Sequence, residues 1–284
     1  GDATPADAGA GSVLFSSQLA ANGGQWDEST PLPGARVTFG AELVGPSGGL
    51  GDSLGAELRF PGDASLGPNE RADPDLATGL ETRQFFRFGT YRARVQFPTC
   101  GPNEEIASAV FLYFSDGRDG NANGIVDAPE LDLHVLCGAP SFIVLTAWSD
   151  YEKSAAGVET FRKRAHAVDT ATGDVFDTPA PDALAFSKTG NAPELVHAGF
   201  PAAGTFYDVG IERGPAHVRF FIVLDGVERT LWDLTDGAFV PQVPMPLMLN
   251  LWHPPTHWVP ARDPANYPAS DGVMRVDWVE WRAP

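Results

Sequence analysis

The sequence predicts an all-β protein, a sandwich of two antiparallel sheets. Three observations predict it. Short alternating or apolar runs recur between turn signals, and no stretch carries a long helical period. Gly 31 and Pro 25 are high for a helical protein but below the level of disorder. With 284 residues, 43% of them hydrophobic, the chain can bury a full core, and sandwiches of this size often form one domain.

In chain order, GDATPADAGAGS is small, polar and Gly/Pro-rich, and reads as a tether over 1–12 ahead of one domain over 13–284. ARVTF (35–39), GAELRF (55–60) and FGTYRARVQF (88–97) follow as strands. In the last of these, Tyr91, Ala93, Val95 and Phe97 share one face, while Arg92, Arg94 and Gln96 share the other. That alternation marks a half-buried antiparallel strand. SAVFLYF (108–114), ELDLHVL (130–136) and SFIVLTAW (141–148) continue the series. Residues 154–204 are polar, Ala/Pro-rich and weakly periodic, and read as strands between long loops of the same domain. HVRFFIVLDG carries Asp225-Gly226 between two strand-like runs, a hairpin signal. PLMLNLW and MRVDWVEW close the series.

The formal charge of −18 argues against nucleic acid or an anionic membrane and suits neutral ligands and cations. No apolar run approaches the ~20 residues of a membrane span. Cys100 and Cys137, if joined, close a loop of under forty residues. Such a bridge would contribute about 3–4 kcal/mol and imply an oxidising compartment. Two free buried thiols are the alternative.

Five blocks of the sequence occur in a familiar order: FGTYRARVQFP, AVFLYF followed by ELDL, FYDVGIERGPAHVRFFIVLDGVERT, MPLMLNLWHP and MRVDWVEW. Together they resemble glycoside hydrolase family 16, of the laminarinase and lichenase type. The resemblance covers about residue 80 to the C-terminus. It implies a concanavalin A-like β-jelly-roll sandwich, an exported protein (extracellular, periplasmic or at the cell surface), and a polysaccharide or oligosaccharide partner met by a monomer.

Strand residues at i, i+2 and i+4 share a face, so Glu130, Asp132 and His134 are expected to point together into a cleft. Four residues of strand span ~13 Å, and two long side chains leaning inward bring their tips to ~5 Å, the separation that retaining hydrolysis uses. By resemblance Glu130 takes the nucleophile's place and Asp132 an assisting place. The family expects a glutamate third, and here His134 stands there, followed by Val135. A protonated imidazole held by two carboxylates could serve as the acid. The alternative is a catalytically impaired, lectin-like protein that keeps the cleft.

Just before this strand, Asp119, Asn121, Asn123, Gly124, Ile125, Asp127 and Glu130 fall at positions 1, 3, 5, 6, 7, 9 and 12 of a calcium loop. The stretch 116–130 therefore reads as a calcium-loop insertion resembling EF-hand and dockerin loops. Glu130 cannot both chelate and attack a sugar. Pro129 favours a change from loop to strand there. We therefore expect Glu130 in the cleft, leaving the ion to Asp119, Asn121, Asn123, Asp127 and the Ile125 carbonyl, with Asp116 or water completing the shell. A second calcium at Asp277 is implied by the lichenase-type members, against a plain outward polar residue. Trp252 is expected to stack on sugar, with Asn250, His253, Trp258 and Trp148 beside it and His257 on the same loop. The function these features predict is retaining endo-hydrolysis of a β-linked neutral polysaccharide.

Overall fold

The alternating runs form strands in two antiparallel sheets, numbered here in chain order. One sheet has nine strands, in the order β12 (Ser187–Asn191), β11 (Asp174–Asp177), β10 (Glu159–Asp169), β9 (Phe142–Lys153), β8 (Asp127–Leu136), β7 (Ala107–Tyr113), β16 (Leu247–Trp252), β5 (Thr78–Thr82) and β2 (Trp26–Ser29). The other has eight. Its order is β15 (Val227–Leu234), β14 (Val218–Leu224), β13 (Tyr207–Arg213), β6 (Gly89–Gln96), β17 (Gly272–Arg282), β4 (Leu54–Phe60) and β3 (Arg36–Glu42), with β1 (Val13–Ser17) also on β17. This computed structural model describes residues 13–17, 19, 21–32, 34–43, 54–62, 77–101, 104–181, 183, 185–254 and 267–284. The predicted tether over 1–12 lies outside them.

Late strands insert between early ones: β16 lies between β7 and β5, and β17 between β6 and β4. These crossovers make the sandwich a jelly roll, as predicted. On β6, Tyr91, Ala93 and Val95 are buried to within 1%. On β8, Leu131, Leu133 and Val135 meet them in the same core. Each large apolar side chain buried this way contributes about 1.5–3 kcal/mol. The Asp225-Gly226 hairpin is present: both residues take positive φ, 51° and 75°, and join β14 to β15. That pair of angles matches the twist of the flanking strands.

Residues 154–204 supply β10, β11 and β12, which widen the nine-stranded sheet at one side. Cys100 and Cys137 are joined, with Cα atoms 5.5 Å apart and a sequence separation of 37. The bridge anchors the end of β8, and the Ile106 N–H donates to the Cys137 Sγ. It fits an exported protein. No helix among the described residues is long and apolar enough to cross a membrane.

Candidate functional site

Because β8 sends Leu131, Leu133 and Val135 into the core, Glu130, Asp132 and His134 lie on the outer face of the nine-stranded sheet. Cross-strand register extends each of them into a row. Glu130 pairs with Tyr113 on β7 and Trp148 on β9, and Trp148 pairs with Lys163 on β10. Asp132 pairs with Phe111 and Thr146, and Phe111 continues to Met248 and Glu81. His134 pairs with Ala109 and Val144, and Ala109 continues to Asn250 and Gly79. Small residues floor the last row. A Cβ at Gly79 would lie 3.3 Å from the Asn250 Cβ, so glycine leaves that side chain room. A shallow pocket opens beside β2, β5 and β16, lined in part by Asp27, Glu81, Phe111, Met248 and Asn250.

The central carboxylates, Glu130 and Asp132, are neighbours on one face of β8. Burial, then the neighbouring Asp132 charge and a hydrogen bond to it, raise the Glu130 pKa well above the ordinary carboxylate value. Asp132 is 1% exposed and accepts a hydrogen bond from the Thr146 hydroxyl. Thr146 in turn accepts from the Trp148 indole N–H at 3.1 Å. His134 is 7% exposed, with its ring edge-on to Trp252 at 6.4 Å. Two carboxylates were expected to hold a proton on this imidazole. Burial outweighs the pull of Asp132, and the His134 pKa lies below its ordinary value. The neutral ring is therefore the favoured form near pH 7.

Raised as it is, Glu130 is a carboxyl group that folding prefers protonated. The stability this contributes is complete below the unfolded pKa and is lost as pH rises through the higher folded one. Glu130→Gln, uncharged throughout, is therefore expected to match the parent near pH 4 and to be more stable at pH 7–8. Thermal melts across that range check this. A parent that gains on the Gln variant with rising pH would contradict the assignment.

Lys163 is a residue of this face that the sequence reading missed. On β10, Arg162 pairs with Asp150 and Lys163 with Trp148, so Ser149 is bulged out between them. Lys163 itself keeps the register of Arg164 opposite Ala147 and Ala165 opposite Thr146, so regular alternation on β10 puts it on the face that carries Thr146 and Trp148. Its Nζ lies 4.4 Å from the centre of the Trp148 ring and 5.3 Å from that of Phe161. Burial lowers its pKa, while Asp132, Glu130 and Glu159 pull it back up.

The predicted walls come together only in part. Trp252 is half-buried and packs against a small outer-face cluster of Ala107, Leu136, Val144 and Ala167. Asn250 lines the pocket, and Trp148 shares the row of Glu130 with one face under Lys163. His253 is 9% exposed, donates through Nδ1 to the Glu105 carbonyl at 2.9 Å, and sits against Tyr267. Burial lowers its pKa to about 4. This ring pins the end of β16 to the segment ahead of β7, and so departs from the sugar-binding place expected of it. Trp258 and His257 lie outside the described residues.

The predicted calcium loop runs into β8, which begins at Asp127, three residues before Glu130. Asp119 accepts from the Asn123 and Gly124 amides, and Asp127 from the Gly120 amide. Asn121 donates to both Asp127 and Asp150, at 2.8 and 2.9 Å, and Asn123 donates to Asp150 at 3.0 Å. Asp150, from β9, was not anticipated. It is 1% exposed and directly opposite Asp127 in the ladder. Like charges so placed repel. Among the described residues, no cationic side chain pairs with Asp119, Asp127 or Asp150; Arg118 pairs instead with Asp116. Glu130 is on the sheet face with Asp132, away from this set, and the Ile125 amide closes the turn by donating to Asn123. The side chains that meet here, three carboxylates and two amides, all bear oxygen, the ligand atom a hard cation takes, and both amides here present N–H to a carboxylate. Asp277 has a different setting. It is 4% exposed, bulged between Val276 and Trp278, and paired with Arg94 at 3.4 Å; Arg94 also reaches Asp208 at 3.0 Å.

Neither a family model nor a curated protein matches the sequence. Solved structures do match. The Bacillus licheniformis β-glucanase superposes with a TM-score of 0.52 at 14% identity, covering 95% of this chain and 98% of that one. The fold is that of the β-glucanases. A LamA variant of Zobellia galactanivorans, solved with laminaritriose and laminaritetraose, shares it at TM-score 0.52 and 14% identity, covering 96% of this chain and 99% of that one. The Crh5 transglycosylase in complex with NAG does so at TM-score 0.51 and 16% identity, covering 99% and 88%. At such identities the likeness establishes the β-glucanase fold.

Proposed function

We propose that this exported β-glucanase-fold protein binds a β-linked polysaccharide along the outer face of its nine-stranded sheet without cleaving it efficiently. One observation carries the reading. The third catalytic place holds a buried histidine whose burial disfavours the proton a general acid needs. Glu130 and Asp132 keep the other two places, which favours retaining hydrolysis as the second reading. Trp252 offers the half-buried ring beside His134 on which a sugar face could stack. Trp252→Ala is expected to weaken oligosaccharide binding by about 1–3 kcal/mol, roughly 5- to 150-fold, while leaving the melting temperature close to the parent's. Titration calorimetry with laminari- and cello-oligosaccharides measures it. Unchanged affinity would place the glycan elsewhere.

The loop is proposed to hold a structural calcium. Asp119, Asn121, Asn123, the Ile125 carbonyl and Asp127 would be its ligands, and Asp150 is proposed in the twelfth place that the motif assigns to Glu130. With side-chain amides turned to present oxygen, the set is neutral and acidic oxygen throughout. The ion would supply the positive charge that Asp127 and Asp150 lack, and would fix the start of β8. Glu130 is then free to face the glycan.

A further inference from the structure

We propose that Lys163 recognises an anionic substituent, a carboxylate or a sulfate ester, on a sugar unit lying beside Trp148. This rests on the reading that the outer face binds a glycan. A lysine ammonium has three N–H donors to satisfy. Among the described residues Lys163 Nζ makes no ion pair and no hydrogen bond; it lies 4.4 and 5.3 Å from the centres of the Trp148 and Phe161 rings, and Asp132, Glu130 and Glu159 act on it through their charge alone. Aromatic faces attract a cation but offer it no lone pair. The side chain is also withdrawn from full solvent, so water only partly supplies what the protein does not.

Two structural roles compete with recognition. Lys163 offsets the charge of the carboxylates on the same face, but it makes no ion pair with either, and one Asp132 oxygen is taken by Thr146. It could merely cap Trp148. An apolar residue would do that without burying a charge. The net charge of −18 opposes a dense polyanion at long range. At physiological salt that field is screened over about 8 Å, so the local ammonium decides which substituent sits beside it. The ligand that fits is a mostly neutral glycan with isolated anionic groups.

The test titrates the full chain with three matched oligosaccharide sets: a neutral β-glucan, the same glucan oxidised at C6 to carboxylate, and the same glucan sulfated at C6. At least tenfold tighter binding of one anionic set is expected, weakening with salt, and which set gains identifies the group. Lys163→Met should bring that set down to the neutral affinity and leave the neutral set unchanged, whereas Lys163→Arg should keep the preference. If Lys163→Met misfolds, Lys163→Gln poses the same question. Equal affinity for neutral and anionic sets overturns this assignment and leaves the glycan reading standing. A preference that survives Lys163→Met overturns it too. No binding of any set by the folded protein overturns both.

Discussion

His134→Glu is expected to turn a protein that holds a glycan into one that cuts it. The third position of the E-x-D-x-E pattern is on the same face as Glu130 and Asp132, and a carboxylic acid there supplies the leaving-group proton that the neutral imidazole withholds. General acid catalysis contributes roughly 10²- to 10⁴-fold, so reducing-end release from a β-glucan should rise by about that factor over the parent. The gain should be smaller on an activated aryl glycoside, whose leaving group needs little protonation. Glu130→Gln on the same background should abolish it, because the nucleophile is gone. Since burial and Asp132 raise the Glu130 pKa, the new activity should grow as pH climbs above the ordinary carboxylate range. A His134→Glu protein that binds glucan yet shows no gain would mean that Glu130 does not serve as nucleophile.

Removing calcium should give the second largest effect. An ion bound only by the folded state stabilises by RT ln(1 + [L]/Kd), about 2.7 kcal/mol at a hundredfold excess over Kd. For a domain of this size that corresponds to roughly 5–10 °C in melting temperature. Chelation should lower the melt by that much, and added calcium should restore it. Asp150→Ala should remove the calcium response, and Asp119→Ala with Asn121→Ala should do the same. Glu130→Gln should keep it. The last variant decides between the two claims on Glu130: a calcium response lost there would make Glu130 the twelfth ligand and take it out of the cleft. Identical melts with and without chelator would remove the ion altogether.

The strands, their alternation and the Asp225-Gly226 turn were legible in the sequence because each depends on residues within a few positions of one another. So was the shared face of Glu130, Asp132 and His134, since a strand's period of two is a local property. The order of the family-like blocks added the sandwich. What the tertiary structure alone decided came from residues distant in sequence, or from burial. Asp150 reached the calcium loop through pairing of β9 with β8, and Arg94 reached Asp277 through pairing of β6 with β17. Lys163 was hidden because its place beside Trp148 depends on the pairing of β10 with β9, in a segment whose sequence is only weakly periodic. His253 read as a cleft residue from its neighbours in sequence, yet a hydrogen bond to Glu105, 148 residues away, fixed it elsewhere. The protonation of His134 was the last such case. Sequence supplies its charged neighbours, but desolvation depends on how deeply the folded sheet and its surroundings bury the ring, and here that effect is larger than the pull of Asp132.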